Sequence, residues 1–183
     1  MATFPESHPL ADVLVVDDEP EVLDLLAEYF RSRGLRVGTA VDGRAAVAAL
    51  EREGARFGLV VTDLHLPGID GLGVLRAARQ ANPSAFVVIV TGYASLESAI
   101  QAVRLGAYDY LTKPFSLGQL DVLLQRLRDR LALEEENRRL TRQIGQRDGQ
   151  DVRLALMERL DSLDTRLARI EALVRDLSDG TRS

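Results

Sequence analysis

The sequence predicts an α/β protein: a doubly wound, five-stranded parallel sheet with five helices, followed by a long helical or coiled-coil extension. The main observation is that short apolar runs rich in β-branched residues alternate with segments whose apolar residues repeat at helical spacing. Five such strand–helix pairs fit within about the first 115 of the 183 residues. Beyond residue 115 the chain contains neither aromatic residues nor proline, which favours long helices over a second globular core.

The elements can be assigned in order along the first part of the chain. Strands are expected over residues 13–16, 36–40, 59–62, 86–90 and 108–112, of which the second and fifth have the weaker pattern. The first helix has apolar residues at helical spacing from Val22 to Phe30 and ends at Gly34. Three further helices are expected over 45–50, 72–78 and 96–105, and a fifth begins near Ser116.

Composition and charge exclude several functional classes. The chain has 46% hydrophobic and 28% charged residues, and its net charge of −5 argues against a dedicated nucleic-acid or anionic-membrane binder. It has no cysteine, which excludes disulfides, thiolate catalysis and cysteine-based zinc sites. Its two histidines, His8 and His65, are too few for a histidine-rich metal site. With no signal-peptide pattern and no membrane-length apolar run, we expect a cytoplasmic protein without membrane insertion.

The basic residues are unusual in one respect. Of the 23 basic residues, 22 are arginine, and Lys113 is the one lysine. A codon bias towards GC-rich DNA is one explanation for the excess of arginine, but it would not explain why this lysine remains.

Polar side chains follow four of the predicted strands, at the point where each strand ends. They are Asp17 and Asp18 after the first strand, Asp63 after the third, Thr91 after the fourth and Lys113 after the fifth. The carboxyl ends of parallel strands meet at one edge of a doubly wound sheet, where such folds bind their ligands. We therefore expect three carboxylates, a hydroxyl and an ammonium to converge on one rim.

This combination of groups suits a metal ion and phosphoryl transfer. Three crowded carboxylates repel one another unless a cation lies among them, and hard oxygen ligands of this kind suit Mg²⁺. A carboxylate beside Mg²⁺ and a lysine can accept a phosphoryl group, because the two cations neutralise charge on the transferred oxygens.

Each residue also has a purely structural interpretation. Asp17 or Asp18 could cap the helix that begins near Pro20, Thr91 could belong only to a turn, and Lys113 could lie in a solvated loop. That all of them fall at successive strand ends is hard to attribute to chance, so the joint pattern favours the functional interpretation.

Four motifs around these residues resemble the receiver domain of bacterial two-component response regulators, over roughly residues 10–130. They are Val-Val-Asp17-Asp18-Glu, Val-Thr-Asp63-Leu-His-Leu-Pro-Gly, Val-Thr91-Gly-Tyr-Ala and Tyr-Leu-Thr-Lys113-Pro-Phe. Residues 91–115 are most similar to receivers of the NtrC type of transcriptional activator. The resemblance implies the CheY-like fold with strand order 2-1-3-4-5 and a cis peptide bond after Lys113.

The resemblance also implies a role for each residue of the rim. It makes Asp63 the phosphoacceptor and Lys113 the residue that contacts the phosphoryl oxygens. It makes Mg²⁺ the cofactor, held by Asp18, Asp63 and the backbone carbonyl of His65, and by Asp17 either directly or through water.

Two further roles concern switching and the lifetime of the phosphoryl group. By resemblance, Thr91 bonds a phosphoryl oxygen once it arrives, and Tyr110 then swings inward and remodels the face formed by the fourth helix, fifth strand and fifth helix. His65 and Tyr93 lie two residues beyond Asp63 and Thr91, so we expect both side chains to border the phosphoryl group and to alter its lifetime.

The remainder of the chain is predicted to be helical. We expect a disordered N-terminus over 1–9, a helical extension of the fifth helix over 131–147, a coiled coil over 151–178 and a disordered C-terminus over 179–183. An alternative for the coiled coil is a single amphipathic helix that folds back on the chain. The last 68 residues have 13 basic and 13 acidic side chains, which favours a solvated surface over a DNA-binding arm.

These observations predict a phosphorylatable response regulator with no DNA-binding domain and no enzymatic output. We expect a sensor histidine kinase to phosphorylate Asp63 and an unknown downstream protein to receive the signal. We expect a homodimer through the coiled coil, with the face of the fourth helix, fifth strand and fifth helix as a second candidate surface. Catalysis is expected to be limited to the receiver's own Mg²⁺-dependent phosphorylation and dephosphorylation.

Two other functions fit the sequence less well than this one. A non-switching scaffold, whose helical tail is the functional part, predicts a damaged acidic cluster or a missing lysine, and the sequence has neither. A phosphatase of the haloacid-dehalogenase type requires Asp-x-Asp after the first strand, whereas Asp17 and Asp18 are adjacent.

Overall fold

Strands and helices alternate along the chain, as the sequence predicts. The computed structural model describes residue 10 and residues 12–141. The strands are β1 (Asp12–Val16), β2 (Arg36–Ala40), β3 (Leu59–Asp63), β4 (Phe86–Thr91) and β5 (Asp109–Thr112). All neighbouring strands are parallel, and their order in the sheet is β2-β1-β3-β4-β5. The predicted doubly wound sheet and its strand order are therefore confirmed.

Five helices connect and follow the strands. They are α1 (Pro20–Ser32), α2 (Gly43–Glu53), α3 (Gly71–Ala81), α4 (Leu96–Arg104) and α5, described over residues 117–141. A single 3-10 turn, Gly54–Arg56, follows α2 and was not predicted. Both α2 and α3 extend beyond the predicted ranges, because apolar periodicity marks only the buried face and the terminal turns are polar.

The central strands explain why the first, third and fourth apolar runs were the strongest in the sequence. Every residue of β1 and β3 is buried, and so are all but the first residue of β4. The edge strands β2 and β5 are partly exposed, so they carry polar residues and a weaker apolar pattern.

The chain divides into two compact units between residues 124 and 125. In the first unit, Asp121 Oδ1 accepts hydrogen bonds from the Tyr29 hydroxyl at 2.8 Å and from Arg33 Nε at 3.1 Å, which attaches the start of α5 to α1. In the second unit, residues 125–141 are helical and include an ion pair between Arg130 and Glu134 at 3.0 Å.

Several predicted segments lie outside the described residues: the termini 1–9 and 179–183, the end of the helical extension over 142–147, and the coiled coil over 151–178. In the part of the chain that the structure does describe, no helix is both long enough and apolar enough to cross a membrane.

Candidate functional site

The three predicted aspartates converge at the carboxyl ends of β1 and β3. One carboxylate oxygen from each of Asp17, Asp18 and Asp63 lies within 4.8 Å of the other two. The strand register explains this convergence, since Val16 lies opposite Thr62 and the next residues along each strand are therefore neighbours. Asp17 and Asp63 are buried and Asp18 is exposed. This acidic cluster could hold a metal ion.

The Lys113 ammonium lies among these carboxylates. Its Nζ is 2.9 Å from Asp17 Oδ2, 3.2 Å from Asp63 Oδ2 and 2.8 Å from Glu19 Oε1. The lysine side chain is only 13% exposed, so it does not lie in a solvated loop. The structure therefore brings together the groups that the sequence placed at separate strand ends.

Backbone contacts hold the end of β5 beside β4. The N–H of Lys113 donates to the carbonyl of Thr91 at 2.8 Å, directly after the last pair of residues in the β4–β5 ladder. The peptide bond between Lys113 and Pro114 is cis, which confirms the expectation from the family resemblance.

Burial and charge act in opposite directions on the pKa of Lys113. Burial alone would lower it, but the carboxylates of Glu19 and Asp17 outweigh this effect and raise the pKa above that of an ordinary lysine. The ammonium therefore keeps its charge at neutral pH. Asp63 adds to the same effect through its negative charge.

Asp17 is the most deeply buried member of the cluster. Burial raises its pKa, and the nearby Lys113 ammonium offsets only part of this increase. Its buried Oδ2 lies 2.9 Å from the Lys113 ammonium. A buried carboxylate beside two further carboxylates fits a hard divalent cation such as Mg²⁺.

The capping interpretation of Asp17 and Asp18 is not observed. The N-cap of α1 is Glu19, which makes no side-chain capping hydrogen bond, and Pro20 occupies the first helical turn. Asp17 Oδ1 instead accepts a hydrogen bond from the Glu19 N–H at 3.0 Å, which orders the turn between β1 and the helix. Neither aspartate serves as the N-cap.

The start of α3 packs closely behind Asp63. A Cβ atom at Gly71 would lie 2.2 Å from the Asp63 carbonyl oxygen and 2.9 Å from Leu64 Cα. The N–H of Gly71 also donates to the Leu64 carbonyl at 2.9 Å. The absence of a side chain at Gly71 therefore lets the helix brace the backbone that carries the aspartate.

His65 contacts both Asp63 and Thr91. Its backbone N–H donates to Asp63 Oδ1 at 3.2 Å, and its ring Nδ1 is 3.1 Å from Thr91 Oγ1. Thr91 is completely buried, and its Oγ1 also accepts a hydrogen bond from the Tyr93 N–H at 3.2 Å. The rings of His65 and Tyr93 meet edge to face with centroids 5.9 Å apart. The two residues predicted to border the site thus contact each other.

Tyr110 is attached to the first turn of α4. It lies opposite Ile89 in the β4–β5 ladder, is partly buried, and its hydroxyl is 2.9 Å from Ser98 Oγ. Ser98 also completes a capping box with Ser95, the N-cap of α4. One side chain therefore joins the predicted switch tyrosine to the helix cap.

Two residues of this site were missed from the sequence. Glu19 directly follows the aspartate pair, and this position was a signal that it could contact the lysine. Ser98 carried no comparable signal, because its contact with Tyr110 depends on how α4 lies against β5.

The fold, the acidic cluster and the partly buried lysine together are those of a response regulator receiver. The response regulator receiver domain family matches residues 13–125, and the chain belongs to this family.

Similar proteins agree with this assignment. The chain is 34% identical over 130 residues to a putative NtrX-like response regulator of Rickettsia bellii, covering 70% of this chain and 27% of the relative. It is 34% identical over 186 residues to the C4-dicarboxylate transport transcriptional regulatory protein DctD of Pseudomonas aeruginosa. This match covers 98% of this chain and 39% of the relative. The chain thus spans about a quarter to two fifths of these relatives. The NtrX-like relative agrees with the predicted likeness to NtrC-type receivers.

Solved structures are similar to this chain as well. One of them is a response regulator protein from Burkholderia pseudomallei with a phosphorylated aspartic acid, calcium ion and citrate. The two proteins are 32% identical with a TM-score of 0.58, and the match covers 68% of this chain and 72% of the other.

Proposed function

We propose that a sensor histidine kinase phosphorylates Asp63 in a Mg²⁺-dependent reaction and that the signal leaves through protein–protein contacts. The observation that carries this proposal is the Lys113 ammonium, which lies 3.2 Å from Asp63 Oδ2 and 2.9 Å from Asp17 Oδ2. A non-switching scaffold would have no need for a partly buried lysine among three carboxylates. A solved relative that carries a phosphorylated aspartic acid and a calcium ion supports the same chemistry.

The proposed transfer forms one bond and breaks another. A carboxylate oxygen of Asp63 attacks phosphorus, the phosphorus–nitrogen bond of the kinase phosphohistidine breaks, and the leaving imidazole keeps the electron pair. Lys113 stabilises negative charge on the transferred oxygens. Mg²⁺, held by Asp17, Asp18, Asp63 and the backbone carbonyl of His65, would supply further positive charge. Catalysis by this chain is then limited to its own phosphorylation and dephosphorylation.

The proposed response uses Thr91 and Tyr110. Thr91 bonds a phosphoryl oxygen, and Tyr110 moves inward and changes the face formed by α4, β5 and α5. A homodimer through residues 151–178 and an unknown downstream protein remain part of the proposal, as does a cytoplasmic location.

Control of transcription is a second candidate output, because the DctD relative, a transcriptional regulator by name, matches nearly the whole chain. Transcript levels in cells carrying wild type or Asp63→Asn would distinguish the two outputs.

Phosphorylation by a small phosphodonor tests the central claim. The protein is incubated with phosphoramidate and Mg²⁺, and acid-labile phosphate is measured by intact mass for wild type, Asp63→Asn and Asp70→Asn. Asp70 lies in the loop that follows β3 and caps α3, and asparagine caps a helix as well as aspartate does. We expect phosphate on wild type and on Asp70→Asn, none on Asp63→Asn, and none when Mg²⁺ is chelated. Unmodified wild type would refute the proposal.

A further inference from the structure

His65 joins the proposed phosphoacceptor to the proposed switch residue. Its backbone N–H bonds Asp63 Oδ1, and its imidazole Nδ1 bonds Thr91 Oγ1. The imidazole is also in edge-to-face contact with Tyr93, which follows Thr91 by two residues. The ring is therefore held against the end of β4, although His65 itself is exposed.

The other hydrogen bonds of the Thr91 hydroxyl determine which atom is the donor in its bond with His65. A threonine hydroxyl has one proton to donate, and a completely buried hydroxyl needs an acceptor for it. Thr91 Oγ1 already accepts a hydrogen bond from the Tyr93 N–H. His65 Nδ1 is the one acceptor that contacts this hydroxyl among the described residues. The arrangement is satisfied when Thr91 donates its proton to Nδ1.

We propose that His65 is a positioning residue that holds the Thr91 hydroxyl in the unphosphorylated state and so opposes activation. This inference rests on the proposed function, in which Thr91 bonds a phosphoryl oxygen. Phosphoryl oxygens accept hydrogen bonds and do not donate them, so they compete with His65 Nδ1 for the single Thr91 proton. Phosphorylation must therefore break the bond between His65 and Thr91. The resting state is more populated because this bond exists.

The size of the effect follows from the net free energy of one hydrogen bond. A neutral hydrogen bond typically shifts an equilibrium by about two- to tenfold. Removing the imidazole should favour the activated state by that factor, whereas an asparagine oxygen at the same position can still accept from Thr91. The backbone N–H of His65, which donates to Asp63 Oδ1, is unchanged by either substitution.

Beryllofluoride binding in saturating Mg²⁺ measures this equilibrium without phosphoryl hydrolysis. The full chain is titrated as wild type, His65→Ala and His65→Asn, each also in a Thr91→Val background, and binding is followed by fluorine NMR. We expect His65→Ala to bind about two- to tenfold more tightly than wild type and His65→Asn to stay close to wild type. In the Thr91→Val background all three should bind equally, because the hydroxyl is absent. Unchanged affinity in His65→Ala, or tighter binding that persists with Thr91→Val, would overturn the inference.

A second measurement separates this inference from the proposed function. Unfolding by urea, without phosphodonor or beryllofluoride, is compared for wild type, His65→Ala, Thr91→Val and the double variant. A bond between the two side chains makes the effects of the single substitutions non-additive. Additive effects would overturn the inference even if Asp63 is phosphorylated. Failure of wild type to bind beryllofluoride or to accept phosphate would instead refute the proposed function.

Discussion

At the scale of single residues, Lys113 has the most constrained environment in the site. Its ammonium contacts three carboxylates within 3.2 Å while the side chain is almost buried. A lysine ammonium is a compact charge with three rotatable donors, whereas guanidinium is planar and has a fixed fork of donors. This difference gives a chemical reason for one lysine in a chain whose other 22 basic residues are arginine.

Lys113→Arg should keep the charge and still impair phosphorylation. A guanidinium cannot occupy the ammonium position among Asp17, Glu19 and Asp63 without displacing at least one carboxylate. Loss of one charged hydrogen bond changes an equilibrium or rate constant by about ten- to a hundredfold. The initial rate of phosphorylation by phosphoramidate should therefore fall by at least about tenfold. Arg104→Lys, an exposed change of the same kind on α4, serves as the control. A wild-type rate in Lys113→Arg would show that the shape of the cation does not matter.

At the scale of elements, α4 is the most weakly anchored helix of the first unit. Ala102 is its one buried residue, and Leu96 and Val103 are 80% and 71% exposed. Its first turn is held by the capping box of Ser95 and Ser98 and by the hydrogen bond to Tyr110. An element with few buried contacts opens locally at low free-energy cost, so these polar contacts control how often α4 opens.

Ser98→Ala and Ser95→Ala should affect α4 differently. Each substitution removes part of the capping box, and loss of the Ser95 N-cap costs about 0.5–2 kcal/mol of local stability. Hydrogen exchange in residues 96–99 should therefore accelerate in both variants. Only Ser98→Ala also removes the partner of the Tyr110 hydroxyl, so the NMR signals of the tyrosine ring should shift in that variant alone. An equal shift in Ser95→Ala would mean that the cap, and not the direct hydrogen bond, positions Tyr110.

At the scale of the whole molecule, a second charged cluster lies at the amino ends of the strands. Asp12 is buried and accepts hydrogen bonds from Arg36 Nε at 3.0 Å and Arg56 Nε at 3.1 Å. The Arg36 hydrogen bond lowers the pKa of Asp12 below its ordinary value, burial opposes this, and Arg56 adds to the lowering. Stability from this cluster is therefore present above the ordinary pKa and lost as the pH falls through the lower value of the folded protein.

Acid should therefore destabilise wild type more steeply than Asp12→Asn. The unfolded chain takes up a proton at Asp12 near pH 3.8, while the folded protein resists protonation to lower pH. Urea unfolding between about pH 6 and pH 3 should show a smaller loss of free energy in Asp12→Asn than in wild type. Asp24→Asn, an exposed change on α1, is the control. Parallel pH profiles for wild type and Asp12→Asn would exclude Asp12 as a source of acid sensitivity.

The heptad pattern of the tail makes a prediction about the whole chain. Apolar residues at a and d positions over 151–178, with arginines at g positions paired to acids at e positions, are typical of a parallel dimer. Sedimentation equilibrium should therefore give a dimer for the intact chain and a monomer for a variant that ends at Leu131. Equal monomer masses would contradict the predicted coiled coil.

The apolar pattern of the sequence is enough to predict the sheet and the edge at which its polar side chains meet. Strands buried on both faces must be continuously apolar, so β1, β3 and β4 were visible as runs, and parallel topology brings the residues after them to one rim. For this reason the sequence predicts that Asp17, Asp18, Asp63, Thr91 and Lys113 lie at one edge of the sheet. The helix ends were less visible, because they are polar and add nothing to the apolar periodicity.

Only the tertiary structure decided which side chains pair. Lys113 reaches Glu19, His65 reaches Thr91, and Ser98 reaches Tyr110 across gaps in the sequence of 94, 26 and 12 residues. A hydrogen bond requires its donor and acceptor atoms to lie within a few tenths of an ångström of the ideal distance. That distance depends on how the loops and helices pack on the sheet. Periodicity and motif spacing specify faces and edges but not such distances, so these three contacts are visible only in the folded molecule.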